Sequence, residues 1–124
     1  GVNPSTVGRL GEEEVRKVSS EEELKKHLVK DVYDKYVEMK NLKPVRSGEF
    51  IGVERDKFYV QLSEEEVYEL SPLAYYIWAL CDGEHSVEDI TRDISENALV
   101  PLYQVVEPVL IVLEEMKKAN LVSY

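Results

Sequence analysis

Cysteine is almost missing from this sequence. Cys81 is the only one in 124 residues, so no internal disulfide can form, and a disulfide-stapled secreted scaffold is excluded. Long apolar runs are missing too. The longest nearly uncharged stretch, Leu70 to Cys81, falls well short of the roughly 20 apolar residues that a membrane-crossing helix needs. Gly1 is followed by no positively charged start and apolar run, so no secretory signal is expected, and cytoplasmic residence is the default. The two histidines, His27 and His85, lack partners at metal-ligand spacing, so no metal site is expected. Neither a phosphate loop nor a nucleophile elbow nor a dinucleotide fingerprint occurs, and Cys81 beside Asp82 has no base nearby to lower its pKa. Catalysis by this chain and a bound cofactor are therefore not expected.

Positive charge is also scarce where it would matter for nucleic acid. Residues 1–43 hold nine Lys/Arg and nine Asp/Glu, whereas residues 44–124 hold six against sixteen, so the whole net charge of -10 sits in the second part. A phosphate backbone is held by Lys and Arg that release its counterions, so this part should repel nucleic acid and favour neutral or basic partners.

What is present is a soluble globular composition, 44% apolar and 32% charged. The glycine-containing arm of residues 1–13 has little periodicity, and Glu14 to Val18 suggest a short strand. Ser20 with Glu23 fits a capping box, after which Leu24, Leu28, Val32, Tyr36 and Met39 mark one stripe of a single amphipathic helix to about Lys40. Asn41 to Gly48, with Pro44, is the expected boundary, which divides the chain into an extension, 1–43, and a domain, 44–124.

Past that boundary the period shortens. Phe50 to Val53, Phe58 to Leu62 and Val67 to Leu70 read as three short antiparallel strands, separated by Glu54 to Lys57 and by the acidic turn Ser63 to Glu66. Three helices follow. Ser71 caps the first, Pro72 opens it, and Leu73, Ile77, Leu80 and Cys81 mark a face before Gly83 closes it. Ser86 with Asp89 starts the second, burying Val87, Ile90 and Ile94. Val100 and Pro101 open the third, with Val105, Val109, Val112 or Leu113, and Met116 inward to Asn120, while Leu121 and Val122 tuck back onto the core. Trp78 is expected in the core, His85 in a turn. The runs Glu12 to Glu14, Glu21 to Glu23 and Glu64 to Glu66 read as helix starts and a solvated turn.

The resulting α+β layout resembles a winged helix-turn-helix of the PqqD-like family, named for a protein of pyrroloquinoline quinone biosynthesis. The resemblance is carried by Tyr68-Glu69-Leu70-Ser71-Pro72 running into Ile77-Trp78-Ala79-Leu80-Cys81-Asp82-Gly83. It continues through Ser86-Val87-Glu88-Asp89-Ile90, Val109 to Met116, and Asn120-Leu121-Val122. It implies a non-catalytic adaptor that captures the leader of a precursor peptide as an added strand and presents it to a modifying enzyme, typically a radical S-adenosylmethionine enzyme. On this sequence the resemblance implies an edge of Val67, Tyr68, Glu69 and Leu70, and a groove wall of Val106, Leu110, Leu113, Glu114 and Lys117.

Two departures stand out. Residues 1–43 have no counterpart in a minimal member, and Pro108 falls inside the expected third helix, which either kinks there or starts at Glu107. Two other functions compete. A winged-helix transcriptional regulator is opposed by charge: the helix that would enter a DNA groove, Pro101 to Ala119, carries Glu107, Glu114 and Glu115 against Lys117 and Lys118. A docking domain of a larger enzyme complex would use the helix from Ser20 to Lys40.

Overall fold

The computed structural model describes residues 20–124, and the strand expected at Glu14 to Val18 lies outside the described residues. The stripe beginning at Leu24 forms two helices rather than one: α1 (Ser20–His27) and α2 (Lys30–Met39). The break falls at Val29, which turns extended (φ -64°, ψ 151°) directly after the Leu28 amide has bonded to the Leu24 carbonyl at 2.8 Å. An unbroken 20-residue helix would be about 30 Å long, more than the roughly 25 Å of the 17-residue helix it packs on. Bending lets Leu24 on α1 and Tyr36 and Met39 on α2 all reach that helix and the common core.

Beyond Pro44, β1 (Val45–Arg46) pairs antiparallel with β5 (Val122–Ser123) at the far end of the chain. The amides of Arg46 and Ser47 donate to the carbonyls of Cys81 and Leu121, at 2.7 and 2.8 Å. Leu121 and Val122 are buried as expected, and the ladder that holds them is a feature the sequence pattern does not announce. Gly48 then turns the chain at φ +94°, where a Cβ would stand 2.9 Å from the Gln61 carbonyl oxygen. Only glycine fits that turn without displacement.

The sheet has the order β2 (Glu49–Glu54), β3 (Lys57–Gln61), β4 (Val67–Leu70), all antiparallel. These are the three expected strands, β4 with the expected bounds and β2 and β3 with ends shifted by a residue. A bulge between Phe50 and Gly52 bends β2. Phe50 and Phe58 lie on the face that meets Tyr75, with ring centroids 5.0 and 4.4 Å from it.

Helix α3 (Pro72–Leu80) starts as expected, with Pro72 in its first turn and Ser71 Oγ accepting from the Ala74 amide at 3.2 Å. Trp78 is buried, and its Nε1 donates to the Ser47 carbonyl at 3.1 Å. In the turn that follows, Asp82 accepts from the amides of Glu84 and His85, both at 2.9 Å, and meets His85 Nδ1 at 2.8 Å. Helix α4 (Val87–Ala98) opens on a complete capping box, Ser86 with Asp89. Helix α5 (Leu102–Lys118) runs unbroken through Pro108, so a start at Glu107 is ruled out: Pro101 caps it six residues earlier, and Pro108 sits inside. The core gathers Val60 and Leu70 from the sheet, Ile77, Trp78 and Cys81 from α3 and its end, Val87, Ile90 and Ile94 from α4, and the inner face of α5.

Candidate functional site

The register of β4 decides which of its backbone groups are free. The Leu62 amide bonds to the Glu66 carbonyl at 2.8 Å, and Phe58, Val60 and Gln61 pair with Leu70, Tyr68 and Val67. Hydrogen-bonded pairs alternate along an antiparallel ladder. The pairs Val60–Tyr68 and Phe58–Leu70 therefore exchange the bonds, and the amides and carbonyls of Val67 and Glu69 point away from β3. Among the described residues no strand pairs with that edge.

Beside the edge lies a groove of about 360 Å³ between β4, the start of α3 and the second half of α5. Leu70, Ala74, Val112, Met116 and Leu121 line it with apolar surface, and Glu69 and Glu115 stand on its walls. Ala74 and Ala119 keep it open, because a larger side chain at either place would fill it. Lys57 lies 3.9 Å from Glu69, a contact between two exposed groups that contributes little. The half-buried Tyr68 packs on the core, its hydroxyl donating to Glu66 at 3.3 Å.

Of the residues singled out from the sequence, Val67, Tyr68, Glu69 and Leu70 form the edge strand, and Tyr68, Glu69 and Leu70 line this groove. The residues named on the long helix lie elsewhere. Val106, Leu110 and Leu113 are 0%, 3% and 0% exposed and belong to the core; none of them lines the groove beside β4, and Leu110 reaches instead the floor of a groove on the α2 side of the helix. Glu114 and Lys117 are exposed on the side of α5 turned to α2. There they line a cavity of about 400 Å³ with Lys35, Met39 and Tyr124. Glu114 is held below the usual carboxylate range by the hydrogen bond from Lys35 at 2.7 Å, and Lys117 Nζ sits 4.7 Å from the Tyr124 ring centre.

The residues of α5 and its C-cap that do face β4 are Val112, Glu115, Met116 and Ala119. Met116 carries a legible signal, since it belongs to the inward stripe read from the spacing, in which Val112 is one of two alternatives with Leu113. Glu115 and Ala119 follow from them by the three- and four-residue repeat.

Cys81 offers no reactive thiol: it is buried, its Sγ donates to the Ile77 carbonyl at 3.2 Å, and burial pushes its pKa up to about 12. No group of three or more His, Cys, Asp or Glu able to hold a metal occurs among the described residues, and none of their helices is long and apolar enough to cross a membrane.

A three-stranded antiparallel wing leading into three packed helices makes this a winged-helix-like α+β protein, with a strand edge open over an apolar groove. The chain belongs to the PqqD family, whose model, described as coenzyme PQQ synthesis protein D, matches residues 59–122. The match takes in the last three residues of β3, all of β4, α3, α4 and α5, and the chain up to Val122, and leaves out α1, α2, β1 and β2. No curated protein matches the chain, and no solved structure does.

Proposed function

We propose that this protein is a non-catalytic adaptor that captures the leader segment of a precursor peptide on the free edge of β4 and presents it to a modifying enzyme of the radical S-adenosylmethionine class. Membership of the PqqD family ties the chain to coenzyme PQQ synthesis, and the adaptor role extends that tie. The observation that carries the reading is the outward pair of amide and carbonyl sets at Val67 and Glu69, placed beside an apolar groove. An unpaired strand edge is half of a hydrogen-bond ladder, and a peptide completes it while alternate side chains enter the groove. On this reading the peptide-binding residues are Val67, Tyr68, Glu69 and Leu70, with Val112, Glu115, Met116 and Ala119 replacing the wall inferred from the sequence. Glu69 and Glu115 favour a leader with Lys or Arg beside its apolar residues, acting more on association rate than on final affinity. The protein works in the cytoplasm, and the iron-sulfur chemistry is the partner's.

The test uses proline as a reporter of strand addition. Glu69→Pro removes an amide that β3 does not use, so the fold tolerates it. By isothermal titration with a synthetic leader peptide of a coenzyme PQQ precursor, the substitution should weaken binding at least about tenfold, or roughly 1.4 kcal/mol. Tyr68→Ala should change it far less. Equal binding by wild type and Glu69→Pro would remove the strand-addition reading.

A further inference from the structure

We propose that a second groove, between α2 and α5, is the docking surface for the modifying enzyme, and that it receives a segment in which an apolar side chain is flanked by Lys or Arg. The proposal rests on the reading that this chain presents a peptide to such an enzyme. The groove, about 220 Å³, has an apolar floor of Val32, Leu110 and Ile111. Ile111 is 48% exposed in the middle of the long helix, although nothing in its own helix requires an isoleucine on that surface. Asp31, Glu107 and Glu114 form the rim. Among the described residues Lys35 is the one cation lining this groove, and it is already engaged by Glu114 at 2.7 Å, so carboxylates remain in excess there.

Charge complementarity chooses the occupant. A second copy would bring the same acidic rim against this one, and like charges face to face oppose association. A partner segment carrying Lys or Arg on either side of a leucine or phenylalanine satisfies both the floor and the rim. The groove offers no strand edge, because the backbone groups of α2 and α5 are spent within the helices, so a strand-adding leader gains nothing there. Helix α2 lies outside the family match, which makes this surface an addition to the matched part of the fold. Both grooves share α5. Ile111 faces one and its neighbour Val112, about 100° round the helix, faces the other, so enzyme and peptide can be held at the same time.

The experiment measures affinity between the full chain and a purified radical S-adenosylmethionine enzyme of coenzyme PQQ synthesis, with wild type, Ile111→Asp and the double variant Asp31→Lys, Glu107→Lys. Fluorescence anisotropy of labelled chain reads the binding, and titration with leader peptide checks each variant's other site. The expected result is enzyme binding that weakens as salt is raised, falls at least tenfold in both variants, and leaves leader affinity within about twofold of wild type. Unchanged enzyme binding by both variants would overturn the α2–α5 assignment and leave the adaptor reading standing. No enzyme binding by wild type would overturn both. A concentration-dependent dimer that Ile111→Asp abolishes would give the groove to a second copy and overturn the proposal.

Discussion

Asp82 and His85 show how a short turn is fixed by a single carboxylate. Three groups converge on Asp82, the His85 amide, the His85 ring and the Glu84 amide, and these hydrogen bonds hold its pKa well below the usual carboxylate range. The same contact raises His85 above its ordinary 6.5. The consequences for stability have opposite signs. The Asp82 contribution is present above its unfolded pKa and is lost as pH falls through the lower folded value. The His85 contribution is complete below its unfolded pKa and fades as pH rises through the higher folded one. The turn is thus best held between about pH 4 and 6.5. Asp82→Asn should bring the His85 titration midpoint, followed by NMR of the ring protons, back down towards its ordinary value; a midpoint that does not move would show that the pair is not formed. Cys81 supplies a second expectation at this scale. With its thiol buried and its pKa pushed up to about 12, it should resist a thiol reagent at pH 8 until the protein is unfolded by denaturant.

At the scale of elements, Pro108 is the residue most at odds with its surroundings. It is the seventh residue of α5, so the Gln104 carbonyl loses its helical donor and the ring presses on the preceding turn. Because Pro108 is exposed, Pro108→Ala should restore the bond without disturbing the core, and stabilise the fold by about 1 to 3 kcal/mol in urea denaturation. A neutral or destabilising result would mean that the helix has adapted to proline. Elements whose signals are local were legible in the sequence: the Ser86–Asp89 capping box, Pro72 in the first turn of α3, and the edge strand Val67–Leu70. The break at Val29 was not, because both halves of the stripe keep helical spacing and only the length of α5 makes a bend favourable. Helix rotation set the other limit. The resemblance implied a wall of Val106, Leu110 and Leu113, but α5 is covered by α1 and α2 as well as by α3, α4 and β5, so its apolar arc is wider than a single face and those three are buried within it. Helices α1 and α2 lie outside the residues that the family model matches, and their packing on α5 is not readable from the spacing on α5 itself.

For the whole molecule, charge and packing speak to different questions. The excess of Asp and Glu after residue 43 sets the class of partner, and it predicts no measurable duplex DNA binding at physiological salt. Tight binding with a steep salt dependence in an anisotropy assay would contradict that. Packing sets the arrangement: α1 and α2 contribute Leu24, Tyr36 and Met39 to the core that the winged helix builds, so they cover one side of α5 and leave the β4 side open. On the proposed function, a leader peptide binds on this open side. Amide chemical shifts, recorded while the leader peptide is titrated into the full chain, test it most directly. The account predicts that the largest changes fall on Val67 to Leu70 and on Val112 to Ala119, with the Val67 and Glu69 amides gaining protection from hydrogen exchange. Changes confined to α1, α2 or α4, with β4 and the second half of α5 untouched, would contradict it.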